Sequence, residues 1–152
     1  SGMYLLAKHP EAYQELESNP ELIPSAVEEM LRWTCPLHYF RRTATCDTEL
    51  AGQAITAGDK VVMLYSSANF DERVFAEPMR FDIHRDSNPH LAFGYGIHLC
   101  LGANLARMEA RLFLEEFFHT FRGLELTGEP TYIRSNIVHG YKKMPARLLS
   151  RE

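Results

Sequence analysis

The segment FGYGIHLCLG, residues 93–102, is the most informative stretch of the sequence. Three glycines, Gly94, Gly96 and Gly102, fall within nine residues of it, and glycine permits both close backbone approach and positive φ. Cys100 stands just before a long apolar segment. The N-terminus of a helix favours the thiolate, which is the nucleophilic and metal-binding form of cysteine. A soft, anionic sulfur in a glycine-rich cradle suits iron or another soft metal.

Three other interpretations of this cysteine stay open from the residues alone. A buried cysteine often has a purely structural role. His98 and Cys100 together suggest a zinc site, although no second pair of ligands stands at zinc-finger spacing. A cysteine–histidine hydrolase would also use such a thiol, but no oxyanion loop or orienting residue can be named for it.

The composition limits the classes of protein to which the chain can belong. Its 152 residues, 45% of them hydrophobic, are enough for one domain with a real core. The 16 Lys and Arg against 20 Asp and Glu give a net charge of −4, which leaves no basic surplus for nucleic acid. No apolar run approaches the roughly 20 residues of a membrane helix, so no membrane contact is expected. Three cysteines, Cys35, Cys46 and Cys100, fit a reducing cytoplasm and exclude a disulfide scaffold.

Periodicity and turn residues predict an α+β fold in which helices predominate. We expect helices over residues 4–8, 10–16, 26–33 and 103–119, and a short helical turn over 66–70. The helix over 103–119 is apolar almost all round and should therefore be buried, with Gly123 as its cap. Strands are predicted within 39–64, where 61–65 is interpreted as a buried strand, and in short pieces across 124–149, with a long loop over 71–89.

Two sets of charged residues are candidate functional groups. Glu29 and Arg32 are three apart on a predicted helix and can pair, but the helix pattern points them away from its apolar face. That favours a solvated surface pair, unless a polar partner elsewhere, such as Arg80, makes it structural. Arg41 and Arg42 begin a strand, where arginine either recognises a carboxylate or is simply solvated.

Four landmarks, in this order along the chain, make it resemble the C-terminal, haem-binding portion of a bacterial cytochrome P-450. Residues 29–32, EMLR, resemble the Glu-x-x-Arg signature of the K helix, and Arg80 before Phe81 resembles the arginine that completes a Glu-Arg-Arg network with it. The segment 93–102 matches the family's cysteine-loop signature at every fixed position, and residues 103–107, ANLAR, resemble the start of the L helix. The resemblance covers essentially all 152 residues and implies J, K and L helices with small β-sheets.

The resemblance assigns cofactor-binding roles around haem b. Cys100 would be the axial thiolate of the iron, a ligand that favours O–O cleavage. His98 and Arg42 would hold the haem propionates, where two donors meet two carboxylates. Phe93 would pack beside the sulfur, and backbone N–H groups around Gly102 would tune its electronics. The residues implied to bind the haem or to lie beside the Cys100 sulfur are Cys100, His98, Arg42, Phe93, Gly94 and Gly102.

The resemblance also assigns residues that do not touch the haem. Glu29, Arg32 and Arg80 would form a satisfied polar network that locks the fold behind it. The substrate pocket would be lined by Leu37, His38, Ile137 and Val138. Arg107 and Arg111 could face an electron donor or could be ordinary solvated surface charges.

The implied reaction is insertion of one oxygen atom from dioxygen into a C–H bond of a hydrophobic substrate. A ferredoxin or flavoprotein would supply the electrons. Residues 40–45 and the tail over 136–147 are similar to members that act on sterols or long lipid chains. Soluble bacterial members are the nearest in style, which again fits the cytoplasm.

The family's members are more than twice this length, so residues 1–152 are expected to form a single haem-binding unit. The N-terminal half and the central oxygen-activating helix would lie outside it. The alternative is that the isolated chain is non-catalytic, is haem-free and self-associates through apolar surface that the missing half would cover.

Overall fold

The computed structural model of the protein describes residues 1–151 and contains five α-helices in that range. They are α1 (Gly2–Lys8), α2 (Pro10–Ser18), α3 (Ile23–Thr34), α4 (Tyr65–Ala68) and α5 (Ala103–Thr120). Short 3-10 helices occupy Pro20–Leu22 and Gly96–His98. The predicted helices are therefore confirmed, with their ends shifted by a few residues.

The strands of residues 1–151 pair in four small antiparallel sheets of two strands each. They are β1 (Tyr39–Thr43), β2 (Thr48–Leu50), β3 (Gln53–Ile55), β4 (Lys60–Leu64), β5 (Phe121–Leu126), β6 (Thr131–Tyr132), β7 (Tyr141–Lys143) and β8 (Ala146–Ser150). The pairs are β1 with β4, β2 with β3, β5 with β8, and β6 with β7. The segment between α4 and the cysteine loop has no regular strand or α-helix, as predicted for 71–89.

Local sequence explains where the central helix begins and ends. In α3, Pro24 occupies the first turn, where proline's missing N–H costs no hydrogen bond. The helix ends at Thr34 and is capped by Cys35, which has φ 35° and lies in the left-handed region. Its N–H donates to the carbonyl of Leu31 at 3.0 Å, which closes the last turn.

The hydrophobic core lies where α1, α2, α3 and α5 meet. Helix α3 is central, because it packs against both α1 and α5. The aromatic ring of Tyr13 on α2 meets that of Phe118 on α5 with centroids 5.1 Å apart. The buried members of the core are Leu5, Leu6, Ala12, Tyr13, Leu16, Ile23, Ala26, Val27, Met30, Ile83, Leu114, Phe117 and Phe118.

The prediction that α5 is buried all round is wrong. Its buried residues are Ala103, Leu114, Phe117 and Phe118. Four other large apolar residues are about half exposed, namely Leu105, Met108, Leu112 and Phe113. The reason is that α5 packs on α3 and β5 along one side, and no described element covers the other. We call these four residues the outer face of α5.

Two smaller predictions are also corrected. Strand β4 is not buried, since Val62 and Leu64 are 47% and 54% exposed, because a sheet of two strands has an uncovered face. Gly123 does not cap α5, because the chain turns directly into β5 at Phe121. A Cβ at Gly123 would stand 3.0 Å from Leu149 on the paired strand, so close strand packing explains the glycine.

Candidate haem site

The cysteine loop, residues 93–102, closes on itself immediately before α5. The N–H of Cys100 donates to the carbonyl of Phe93 at 2.9 Å, and the N–H of Leu99 donates to that of Gly96 at 3.0 Å. Gly94 and Gly96 have φ of +72° and +69°, a region that glycine adopts without strain. The loop therefore favours glycine at positions 94 and 96. The Cys100 side chain is exposed.

A cavity of about 420 Å³ lies beside this loop. Its walls are mainly apolar, and its polar side chains include Arg42 and His98. The full lining is Pro36, Leu37, Phe40, Arg42, Tyr65, Ala92, Phe93, Gly94, His98 and Cys100. The structure thus brings together six of the predicted site residues, which come from two separate parts of the chain, residues 37–42 and 93–100.

The β1–β4 sheet explains how Arg42 reaches this cavity. Arg42 pairs with Val61 across the sheet, and β4 leads directly into α4, which begins at the buried Tyr65. Tyr65 was missed from the sequence, although a helical turn was expected just after it. A Cβ at Gly94 would lie 3.6 Å from the Tyr65 hydroxyl oxygen, so this tyrosine packs directly on the cysteine loop.

The four predicted substrate-pocket residues also meet, through the backbone. Leu37 forms an antiparallel bridge with Val138, and the N–H of His38 donates to the carbonyl of Ile137 at 2.9 Å. Among the four, Leu37 lines the cavity. The other three are not among its lining residues, and the His38 ring stacks on His139 with centroids 4.7 Å apart.

The Glu29–Arg32 pair is buried, so the expectation of a solvated surface pair is wrong. Both side chains are fully buried, and the Arg32 guanidinium donates two hydrogen bonds of 2.7 Å to the Glu29 carboxylate. Arg32 also donates to the carbonyl oxygens of Asn69 at 2.8 Å and Pro78 at 3.0 Å. A polar residue on a helix thus points inward when the loop packed against it supplies carbonyl partners.

The third member of this network is Arg85, and the prediction of Arg80 is corrected. The Arg80 side chain is exposed and pairs with Glu77, and only its carbonyl accepts from Arg32, at 3.3 Å. The Arg85 side chain is 10% exposed, and its Nε lies 3.2 Å from the Glu29 carboxylate. Position relative to Phe81 suggested Arg80, but the loop turns that side chain outward.

The electrostatics of Glu29 follow from these contacts. Burial alone would raise the pKa of its carboxyl. The hydrogen bonds from Arg32 and from the Asp82 N–H, together with the charge of Arg85, outweigh burial and lower the pKa. The Glu29 carboxylate is therefore ionised at neutral pH.

The donor groups around Cys100 limit which metal could bind there. Residues 1–151 contain no group of three or more His, Cys, Asp or Glu side chains that could hold a metal ion. A metal at the Cys100 sulfur must therefore bring its other ligands with it, which argues against a zinc site. A haem does so, and the apolar walls with Arg42 and His98 suit its flat ring and its two carboxylates. A Cβ at Gly102 would lie 3.9 Å from this sulfur, an ordinary van der Waals contact, so residue 102 borders the metal-binding atom.

Within residues 1–151, no helix combines the length and apolar character needed to cross a membrane.

Comparisons with known proteins agree with this geometry. The chain is 43% identical over 147 residues to a steroid C26-monooxygenase of Mycobacterium tuberculosis, covering 95% of this chain and 40% of that protein. It is 46% identical over 146 residues to a methyl-branched lipid omega-hydroxylase of Mycobacterium bovis, covering 95% of this chain and 34% of that one. The crystal structure of CYP108D1 from Novosphingobium aromaticivorans matches with a TM-score of 0.93 and 43% identity, over 99% of this chain and 36% of that one.

The chain spans only about a third to two fifths of the length of these relatives. A family model described as cytochrome P-450 matches residues 1–143, and the matched region contains the cysteine loop, the cavity and the buried Glu29 network. By its sequence, its fold and this constellation of residues, the chain belongs to the cytochrome P-450 family.

Proposed function

We propose that this chain is the haem-binding unit of a haem-thiolate monooxygenase. The reaction is insertion of one oxygen atom from dioxygen into a C–H bond of a hydrophobic substrate, by a protein of its relatives' length. One observation carries the proposal. Cys100 lies on a loop that turns at Gly94 and Gly96, and it lines an apolar cavity that Arg42 and His98 also line. Residues 1–152 act as one unit in this proposal.

Each side chain of the cavity has a defined task. Cys100 binds the iron through its sulfur, and a bound haem would supply the activation of dioxygen. Arg42 and His98 donate hydrogen bonds to the propionates and so fix the haem's orientation. Phe93 lines the cavity beside the sulfur, and backbone N–H groups around Gly102 would tune the sulfur's electronics. The protein's contribution is thus to bind and orient the haem.

The substrate in this proposal is sterol-like or lipid-like. Two relatives bear names of enzymes that act on a steroid and on a methyl-branched lipid. The segment that we assign to the substrate side carries apolar side chains in Leu37, Ile137 and Val138, two of them 40% exposed. Such a surface binds hydrocarbon by burying area rather than by pairing charge.

The electron donor in this proposal is a ferredoxin or a flavoprotein. Arg111 has no ion-pair partner among residues 1–151, whereas Arg107 is already paired with Glu28. A surface arginine on the helix that follows the cysteine loop suits an acidic protein partner. The thiols of Cys35, Cys46 and Cys100 are free, which supports a reducing compartment such as the cytoplasm.

The test is the absorption spectrum of the haem-loaded chain after reduction and addition of carbon monoxide. We expect a Soret band at the position typical of a thiolate ligand, and we expect Cys100→Ser to abolish it. Cys46→Ser is the matched control, because Cys46 is exposed and lies outside the cavity. An unchanged spectrum in Cys100→Ser would overturn the proposal.

A second candidate is that the isolated chain is non-catalytic, is haem-free and associates with itself. The outer face of α5 favours it, because this face borders an apolar groove of about 340 Å³. Sedimentation of the purified chain separates the two candidates. A monomer that holds one haem excludes the second candidate, and a haem-free oligomer that takes up no added haem excludes the first.

A further inference from the structure

Glu28 lies on α3 and contacts residues on both sides of the cysteine loop, His90 before it and Arg107 on α5 after it. It precedes Glu29 on α3, so the two carboxylates point in directions about 100° apart around the helix. Glu29 enters the buried network, whereas Glu28 lies at the border of the surface with its side chain 29% exposed. Its position on α3 brings it to the two segments that flank the cysteine loop.

The first flank is the start of α5. The Arg107 guanidinium donates to both Glu28 oxygens, from Nε at 2.7 Å and from Nη2 at 2.8 Å. The same guanidinium lies over the ring of Phe93, 4.7 Å from its centroid. One arginine is therefore held by a two-pronged ion pair and in turn covers the first residue of the loop.

The second flank is the segment that enters the loop. His90 Nδ1 accepts the N–H of Ala92 at 3.2 Å, so the ring proton sits on Nε2 and is donated to Glu28 at 3.1 Å. The His90 side chain is only 1% exposed, which fixes its ring in this orientation. Phe93, the residue after Ala92, accepts the N–H of Cys100 at its carbonyl oxygen.

We propose that Glu28 is a positioning residue for Cys100: through Arg107 and His90 it clamps both flanks of the cysteine loop and thereby fixes the Phe93 to Cys100 hydrogen bond. Glu28 touches neither the sulfur nor the cavity, and it acts through these two partners. The role as a positioner of an iron ligand rests on the function proposed above. The clamp itself does not.

The charge state of Glu28 supports this role. Burial opposes ionisation, but the hydrogen bonds from His90 and Arg107 outweigh it and lower the pKa of Glu28 to about 2. The carboxylate is therefore ionised at neutral pH and can hold both partners at once. Replacing it with a glutamine keeps the shape but removes the charge.

Hydrogen exchange of the chain without haem is the first test. The Cys100, Leu99 and Gly94 amides are bonded within the loop or to its entry, so their exchange rates report its opening. In Glu28→Gln we expect these amides to exchange about ten-fold faster, which corresponds to the loss of one strong charge-assisted contact. Core amides in α3 exchange through global unfolding, so we expect them to accelerate only by the factor that the lost free energy of unfolding sets.

The matched control is Glu17→Gln. Glu17 has the same exposed fraction, 29%, and also pairs with an arginine, Arg151, but it lies on α2 away from the loop. It should leave the loop amides unchanged. Equal loop rates in Glu28→Gln and the unaltered chain would overturn the proposal, and so would loop amides that accelerate as much in Glu17→Gln, which indicates plain destabilisation.

A second variant keeps the test valid if Glu28→Gln folds poorly. Arg107→Lys retains the positive charge but cannot fork to both carboxylate oxygens and cover Phe93 together. We expect it to accelerate loop exchange as well. Combining it with Glu28→Gln should add little, because both changes break one clamp, whereas additive effects would contradict the proposal.

The haem-loaded chain gives an independent readout. In Glu28→Gln, the thiolate-type Soret band of the reduced carbon monoxide complex should be lost several-fold faster than in Glu17→Gln. Equal rates of loss would contradict the positioning of an iron ligand. If no variant and no unaltered chain shows such a band, the proposed function fails, while the exchange result still decides whether the clamp exists.

Discussion

The Glu29 network and the cavity at Cys100 treat polar groups in opposite ways. In the network, every charged side chain meets partners from the protein, and Glu29 and Arg32 are fully buried. In the cavity, Cys100 and His98 are exposed and Arg42 is half-buried. A network satisfied from within fixes a fold, whereas polar groups that converge on an apolar cavity are placed to bind something from outside. Burial therefore separates structural charge from functional charge in this chain.

The largest expected effect is in the network. Glu29→Ala leaves two buried guanidinium groups, on Arg32 and Arg85, without their carboxylate, and we expect it to lower the free energy of unfolding by about 3–5 kcal/mol. Urea unfolding measures this. Glu77→Ala breaks an exposed pair with Arg80 and serves as control, with an expected loss below about 1 kcal/mol. Equal losses in the two variants would mean that burial does not distinguish them.

The second prediction concerns the two arginines that the sequence could not tell apart. Arg85→Ala removes a nearly buried partner of Glu29 and should lower the free energy of unfolding by about 2–3 kcal/mol. Arg80→Ala removes an exposed side chain and should cost less than about 1 kcal/mol. Thermal melts of both variants decide the matter. A larger loss in Arg80→Ala would restore the original prediction.

The third prediction is that the contribution of Glu28 to the free energy of unfolding depends on pH. Glu28 is partly exposed, which places it between the buried Glu29 network and the exposed groups of the cavity. Its folded pKa of about 2 is depressed from an ordinary 4.5, with Arg107 and His90 as the facing groups. Its ionised form therefore stabilises the fold fully above pH 4.5, and this contribution is lost as the pH falls toward 2. We expect Glu28→Gln to cost about 2 kcal/mol at pH 7.

Urea unfolding of the unaltered chain and of Glu28→Gln between pH 7 and pH 3 checks this dependence. The difference between their free energies of unfolding should be constant from pH 7 down to about pH 4.5 and should shrink below pH 4.5. A difference that grows as the pH falls would have the wrong sign and would refute the assignment.

The smallest effect on stability is expected in the cavity. Arg42→Gln and His98→Gln remove side chains that lie partly in solvent, so the free energy of unfolding should change by less than about 0.5 kcal/mol. Each should nevertheless speed haem loss about ten-fold, since each removes one hydrogen bond to a carboxylate. Transfer of haem to an acceptor protein measures that rate. A variant that loses stability but retains haem normally would place its residue among the structural charges.

Much of the fold could be predicted from the sequence, because its signals are local. Proline at helix starts and glycines at fixed positions of the loop act within a few residues, and the helices and the cysteine loop lie where those signals put them. The convergence of Arg42, His98 and Cys100 was suggested by the family resemblance. It could not come from spacing, since it depends on the pairing of β1 with β4.

The misses have a common physical cause, which is tertiary contact. The inward turn of Arg85 and the outward turn of Arg80 depend on which loop carbonyls stand nearby, and no local rule encodes this. The polar side of α3 appeared solvated because the segment that covers it is irregular. The outer face of α5 shows the reverse case, in which apolar periodicity predicted burial that no described element provides.

The attachment of the tail to the cavity wall has a consequence for how this protein can vary. Residues 36–38 are held to residues 137–139 by main-chain atoms, including the His139 N–H to the Pro36 carbonyl at 2.8 Å and the His38 N–H to the Ile137 carbonyl at 2.9 Å. Main-chain bonds are indifferent to the side chains that they carry. The tail can therefore exchange its side chains in evolution or in the laboratory, and so reshape what enters the cavity, while its grip on the wall persists.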